Sequence, residues 1–333
     1  MAYASRHSSY ILSSVGLAVQ VLAFELDTYS HLFLGKAEPW WNSEHLVFYC
    51  GFSLVFLAVW RGLRMTRRGT LLMAPIRFVN TAGLRIAGLG LMIEIISCAW
   101  FEISHTLSSN ELFIASAFAL VTFGILTLGF GIVLGLSIEN GLIKHQILIV
   151  PRRKRWAITL CLTLTFASIW LAASGSLIYL AHVLSGEGWA WITAMPLAIL
   201  ATLILVPVKR VLPEFGSATS IGIVSNLVEI VLLVGCVGLP TYVPWSLIPL
   251  VSFDALELLI RRSIGLRRTV LVSSIIVSAL FYATYYPFSL FFFSWASSLN
   301  LRVALTVACG IVGAWFGERV YSQLSAAVLQ RVA

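Results

Sequence analysis

Residues 24–49 read FELDTYSHLFLGKAEPWWNSEHLVFY, and this stretch joins the end of one very apolar segment to the beginning of the next. It carries a group of acidic and histidine side chains, which are Glu25, Asp27, His31, Glu38, Glu44 and His45. Acids and imidazoles at the rim of a bilayer-spanning hairpin cost free energy, so they usually have a partner such as a metal, a proton or each other. The stretch therefore predicts a membrane hairpin whose outer end binds something.

The composition of the whole chain agrees with a membrane environment. Hydrophobic residues make up 59% of the sequence and charged residues 11%. Soluble domains contain about a quarter charged residues, so lipid is the predicted solvent for most of this surface. The cysteines all fall within apolar segments and form no C-x-x-C pair, which is typical of small hydrophobic side chains rather than disulfides or metal ligands.

Apolar windows long enough to cross a bilayer recur along the chain. A spanning helix needs about 20 mostly apolar residues. Such windows lie near residues 10–34, 45–60, 84–105, 112–135, 157–182, 190–208, 219–239, 243–260, 269–293 and 301–317. They lack strand-like alternation, so the sequence predicts an all-α polytopic bundle of about ten transmembrane helices forming one integral membrane domain over residues 1–333.

Basic residues fall almost entirely in alternate connections between these predicted helices. One side collects Arg6, Arg61, Arg64, Arg67, Arg68, Arg77, Arg85, Lys144, Arg152, Arg153, Lys154, Arg155, Lys209, Arg210, Arg261, Arg262, Arg267, Arg268, Arg319 and Arg331. Only Lys36 and Arg302 lie on the other side. The positive-inside rule then predicts a multi-pass protein of the cell membrane with both termini in the cytoplasm, and it explains the net charge of +8 without a nucleic-acid partner.

The polar outer ends of helices 1–4, roughly residues 10–135, form the predicted site, whereas helices 5–10 cover roughly residues 157–317. Asp27 and His31 are four residues apart and therefore share one face of the first helix. His45 opens the second helix, where a hairpin brings it back toward His31. Two imidazoles and a carboxylate suit copper, zinc or iron. Glu102 and His105 on the third helix are predicted as further ligands or as their supporting shell.

The pattern D-x3-H, followed after a short hairpin by a second histidine, resembles the copper motif in the C subunit of particulate methane and ammonia monooxygenases. In that family an aspartate and two histidines from adjacent transmembrane helices bind copper. The resemblance implies that Asp27 corresponds to the aspartate, His31 to the first histidine and His45 to the second. It is local to residues 27–45 and implies a metal type rather than membership of the family.

Two other interpretations of the outer histidines stay open. A membrane haem needs facing histidines from different helices, and His31 with His105 would provide one such pair near the outer surface. A two-haem wire is excluded by the sequence, because the inner half offers only His7 and His145. The simplest alternative is that interfacial acids and histidines meet only water and lipid head groups.

A second polar set lies deeper in the predicted helices. Glu94 is midway along the third helix, Asn226 and Glu229 share a face of the seventh, and Asp254 lies in the eighth. Together they are a candidate proton path or ion site. Glu257 has a simpler interpretation as an ion pair with Arg261, four residues later.

These features predict an integral membrane subunit of an oxidoreductase or respiratory complex, with a copper-type or haem centre near its outer face. Partner subunits are expected, because helices joined by short loops offer no electron-entry domain. The alternatives are a proton-coupled secondary transporter and a structural anchor for a partner complex. Whether the chain is itself an enzyme stays open. No Walker loop, G-x-S-x-G elbow, H-E-x-x-H or Rossmann fingerprint stands in a suitable context, which argues against nucleotide-driven and soluble-hydrolase functions.

Overall fold

The computed structural model describes the backbone of residues 2–34, 43–68, 74–107, 111–144, 152–185, 190–212, 216–236, 247–293 and 299–332, and most side chains within those ranges. All regular elements in them are helical. They are α1 (Ala2–Leu34), α2 (Ser43–Arg68), α3 (Ala74–Leu107), α4 (Glu111–Lys144), α5 (Arg152–Ser185), α6 (Ala190–Val211), α7 (Ser217–Ile230), a π-helical segment (Val231–Cys236), α8 (Leu247–Phe293) and α9 (Leu299–Val332). The all-α prediction is confirmed for these residues.

Five of these helices are long and apolar enough to cross a membrane. Their apolar segments are Ser8–Ser30, Ser43–Met65, Thr81–Phe101, Ala115–Gly141 and Arg155–Leu180. They coincide with the first five predicted windows. The second is longer than the window at 45–60, because the helix continues into a basic stretch where the Arg64 guanidinium lies 5.2 Å from the centre of the Trp60 ring. Long basic side chains extend a helix in this way by reaching toward water.

The remaining predicted windows also fall on helical elements where the structure describes them, while residues 237–239 and 243–246 lie outside the described residues. α8 covers residues 247–260 of the eighth window and the whole of the ninth, and it is broken between them at Gly265, where φ is 76° and ψ is 159°. Glycine alone adopts this left-handed backbone without a steric penalty. α9 continues through the last window into the C-terminal tail, so the tail is helical up to Val332.

The chain forms two compact units. The first comprises Met1–His31, Gly35–Ala172 and Leu324–Ala333, and the second comprises Leu32–Leu34 and Ala173–Gln323. The outer-site residues of α1 to α4 therefore belong to the first unit, and the ion-paired residues of α6, α7 and α8 belong to the second. The single membrane domain predicted from the sequence stays a prediction.

Glycines bring α3 and α4 into close contact. A Cβ atom on Gly83 of α3 would lie 2.6 Å from the carbonyl oxygen of Gly131 on α4, and one on Gly90 would meet the backbone of Leu128. Gly131 and Gly135 are the G-x-x-x-G pair expected to permit close packing, and they do so here. In the second unit Gly313 and Gly317 of α9 pack in the same way on α6, against Ile199 and Val206.

Candidate metal site

The site begins with two buried side chains on neighbouring helices. Asp27 lies on α1 and His45 in the first turns of α2, with 5% and 9% of their surfaces exposed. Asp27 Oδ1 and His45 Nε2 are 3.6 Å apart. The sequence predicted that the hairpin would return the second helix toward this face of the first, and these two residues are indeed brought together.

Aromatic rings surround this pair. The His45 imidazole meets Phe101 of α3 edge-on, with ring centres 5.4 Å apart. Phe101 in turn packs edge-on against Phe118 of α4 at 5.2 Å, and Phe118 packs against Phe24 of α1 at 5.3 Å. These rings pack around the imidazole and form the apolar part of the wall beside the carboxylate, and Glu44 lines the same cavity. A charged or coordinating group in such surroundings interacts more strongly with its partner than it would in water.

A small cavity opens beside Asp27 and His45, with a volume of about 30 Å³. Its lining also contains Phe24, Cys98 and Phe101. On this measure a space of about 10–15 Å³ is enough for one water molecule, so the cavity suits a water molecule or an ion. Pockets for drug-sized organic ligands measure about 300–1,000 Å³, which is an order of magnitude more than these walls enclose.

The distance between Asp27 and His45 fits two ligands of one metal ion. Hydrogen bonds from nitrogen to oxygen measure about 2.7–3.2 Å, so 3.6 Å is too long for one. Zinc binds nitrogen and oxygen ligands at about 2.0–2.1 Å in a tetrahedron, which separates two ligand atoms by about 3.4 Å. Because the donor set of one carboxylate and one imidazole is also suitable, the residues present fit a copper- or zinc-type ion.

Three further predicted ligands, His31, Glu102 and His105, have side chains outside the described residues. On α1, the backbone of His31 lies one turn beyond Asp27. On α3, Glu102 directly follows Phe101, and His105 lies one turn beyond Phe101. Within the described side chains, no group of three histidine, cysteine, aspartate or glutamate residues is close enough to hold a metal. A complete ligand set therefore stays a prediction, as does the pairing of His31 with His105 around a haem.

Beneath this cavity a buried amide meets a buried acid. Gln20 of α1 donates a hydrogen bond from Nε2 to Glu94 Oε2 of α3, at 2.8 Å, and both side chains are fully buried. Gly124 of α4 leaves the space for this acid, since a Cβ atom there would lie 2.6 Å from Glu94 Cγ. Glu94 was predicted as part of a proton path, and its partner Gln20 was not anticipated.

The second unit contains a different polar cluster around Lys209 of α6, which is fully buried. Its ammonium lies 2.7 Å from Asp254 Oδ1 of α8, contacts Glu257 Oε2, and donates to Ser217 Oγ of α7 at 3.1 Å. Asp254 Oδ2 accepts bonds of 2.7 Å from both the backbone N–H and the hydroxyl of Thr219. Asp254 thereby caps the N-terminus of α7, whose own N-cap residue, a glycine, offers no side-chain bond.

The other residues of the predicted ion path have local partners as well. Glu257 also pairs with Arg261 at 3.2 Å, which confirms the interpretation from the sequence. Asn226 donates to the Gly222 carbonyl oxygen, one turn earlier on α7, at 2.7 Å, and Glu229 is fully buried. A proton path through Glu94, Asn226, Glu229 and Asp254 stays a prediction.

Sequence reasoning missed the role of Lys209. It stands next to Arg210 directly after an apolar window, and such a pair is usually a solvated loop signal. The acids at Asp254 and Glu257, spaced three apart on one helix face, were the available signal that a buried cation belongs there. Only tertiary packing decides which of the many basic residues fills that place.

No known protein family, curated protein or solved structure matches this chain. The resemblance of residues 27–45 to the copper-binding hairpin therefore stays a prediction from the residues themselves.

Proposed function

We propose that this chain is an integral membrane subunit of an oxidoreductase complex that holds a copper-type metal ion between Asp27 and His45. One observation carries the proposal: the carboxylate and the imidazole are buried on adjacent helices, 3.6 Å apart, beside a cavity of about 30 Å³. A metal ion in this space would lie beside one carboxylate and one imidazole, which are ligands that copper and zinc take in proteins.

The ligand set extends, in this proposal, to His31, Glu102 and His105. His31 follows Asp27 by one helical turn, and His105 follows Phe101, which lines the cavity, by one turn. Bound there, the metal would supply electron transfer or Lewis-acid chemistry. Haem bound by His31 with His105 is the alternative cofactor.

The membrane arrangement belongs to the same proposal. In this proposal the apolar windows form ten spanning helices, and the distribution of lysine and arginine puts both termini in the cytoplasm and the Asp27/His45 site near the outer face of the cell membrane. The five long apolar helices, α1 to α5, support the first five of these spans. Other subunits of the complex would deliver electrons, since the connections between the helices are short.

Metal and haem analysis tests the proposal. The full chain is isolated with any co-purifying subunits, and its copper, zinc, iron and haem contents are measured beside those of His45→Ala and Cys50→Ser. We expect about one transition-metal ion per chain in the wild type and in Cys50→Ser, which removes an exposed thiol on the same helix, and none in His45→Ala. Equal metal in all three preparations would refute the assignment.

The same preparations separate the alternatives. A metal-free chain whose complex assembles normally would be an anchor. A metal-free chain whose substrate flux collapses in Glu229→Gln would be a proton-coupled transporter instead.

A further inference from the structure

The hydrogen bond between Gln20 and Glu94 lies one helical turn beneath the Asp27/His45 cavity, and residue positions on α1, α3 and α4 all give this depth. On α1 the cavity is lined by Phe24, four residues after Gln20. On α3 it is lined by Cys98, four residues after Glu94, and on α4 by Val121, three residues before Gly124. A helical turn rises about 5.4 Å, so the acid lies directly below the floor of the cavity.

Among the described residues, those that face Glu94 carry no positive charge to stabilise a carboxylate. Gln20 faces it from α1, Gly124 faces it from α4, and Gly51 of α2 packs on the Gln20 side chain. None of these residues is charged. Cys98, one turn further along α3, is the next titratable side chain on the same face, and Asp27, Glu44 and His45 follow it in the cavity.

A fully buried acid facing only an amide and apolar walls is more stable as a neutral carboxylic acid than as an ion. The hydrogen bond fixes the arrangement of the group, because Gln20 Nε2 donates to Oε2 and so marks that oxygen as the carbonyl. Oε1 is then the hydroxyl oxygen. Oε1 makes no hydrogen bond, and neither does the amide oxygen of Gln20.

We propose that Glu94 stores a proton beneath the Asp27/His45 cavity and releases it when a divalent metal ion enters the cavity. The inference rests on the proposed metal function. The ion brings two positive charges into the buried region, and one proton leaves Glu94 for the solvent. The net charge of the region therefore rises by one rather than by two. In an apolar interior, charges one or two turns apart are only weakly screened, which couples the two events.

Proton counting during metal binding tests this coupling. Zn²⁺ is added to the full-length chain in detergent micelles in weak buffer, and the released protons are counted while calorimetry follows binding independently. We expect Glu94→Gln to bind Zn²⁺ but to release about one proton fewer per ion than the wild type. For each unit of pH, the apparent zinc affinity of the wild type should therefore rise by about ten times the factor found for Glu94→Gln.

Two comparisons separate this role from a merely structural one. The glutamine of Glu94→Gln keeps the hydrogen bond to Gln20, so a structural role predicts an unchanged proton count. Glu139→Gln removes another fully buried acid of the same unit and should release as many protons as the wild type. Zinc binding with the same proton count in Glu94→Gln overturns this inference alone, whereas a wild type that binds no zinc overturns the proposed function as well.

Infrared spectroscopy tests the stored proton without metal. The zinc-free wild type should show the carbonyl band of a protonated carboxylic acid, shifted in D₂O, and Glu94→Gln should lack it. The absence of that band from the zinc-free wild type would overturn the inference whether or not zinc binds.

Discussion

The buried acids Asp27 and Asp254 differ in what stands opposite each carboxylate. Asp254 is in direct contact with donors, at 2.7 Å from the Lys209 ammonium and 2.7 Å from both groups of Thr219. Asp27 faces the His45 imidazole at 3.6 Å, beside a cavity of about 30 Å³. The contacts of Asp254 hold α6, α7 and α8 together, whereas the space beside Asp27 has room for a water molecule or an ion.

This difference separates stability from function. A buried charge must be compensated, either by other groups of the chain or by something that binds. Lys209 compensates Asp254 and Glu257 within the chain, and the contacts occupy the space between them. Beside Asp27, by contrast, there is a cavity of about 30 Å³. The proposed binding function therefore belongs to the first unit, and we expect a structural role for the ion cluster of the second.

Lys209→Met should have the largest effect on stability. The substitution leaves Asp254 and Glu257 buried without their ammonium partner, and breaking a buried pair in this way costs about 3–5 kcal/mol. Denaturant unfolding in detergent would measure the loss. Arg262→Met, at an exposed position of α8, is the matched control and should change little.

The triple variant Lys209→Met, Asp254→Asn, Glu257→Gln sharpens this test. It removes the charges together, so we expect most of the lost stability to return. A Lys209→Met variant as stable as the wild type would contradict the structural role of the cluster.

Asp27→Asn should have the next largest effect, and on binding rather than stability. The amide keeps the shape of the side chain but loses the negative charge. Altering partners that merely support a metal ligand lowers affinity about 10–100-fold, so loss of a ligand charge should cost at least about 100-fold. Competition with a chelator measures it, and unfolding of the same variant should stay near that of the wild type. A stability loss as large as that of Lys209→Met would mean that the two acids have the same role.

Gly124→Ala should have an intermediate effect on the first unit. The new methyl group would lie 2.6 Å from Glu94 Cγ, and overpacking of this kind costs about 1–3 kcal/mol. Gly141→Ala on the same helix is the control, since nothing lies within 4 Å of a Cβ atom there. Equal unfolding free energies for the two variants would contradict the packing of Glu94 against α4.

Glu318→Gln should have the smallest effect. Its carboxylate accepts bonds from Arg210 at 2.8 and 2.6 Å, but both side chains keep some contact with solvent. Exposed ion pairs contribute about 0.2–1 kcal/mol and breaking a fully buried pair costs about 3–5 kcal/mol, so for this largely buried pair, in which the glutamine oxygen still accepts a bond, we expect a loss of about 1 kcal/mol. The unfolding free energy should therefore change by no more than this, and raised salt should reduce the difference. A loss comparable to that of Lys209→Met would show that partial exposure does not weaken the pair.

Much of the fold was accessible from the sequence, because apolar length and basic flanks are local properties. The proximity of Asp27 and His45 was accessible for a similar reason, since a short hairpin restricts where α2 can begin. The bond between Gln20 and Glu94 was not. Choosing an amide on α1 as the partner of an acid on α3 requires the rotation of both helices, which glycines such as Gly83 and Gly131 set through close packing.

X-ray absorption of the copper-loaded chain tests the central claim most directly, because it reports the atoms bound to the metal. We predict at least one imidazole nitrogen at about 2.0–2.1 Å together with light oxygen or nitrogen ligands in the wild type. The imidazole contribution should diminish in His45→Ala. A spectrum dominated by sulfur, as Cys98 in the cavity lining or Cys50 would give, or one unchanged in His45→Ala, would contradict the assignment.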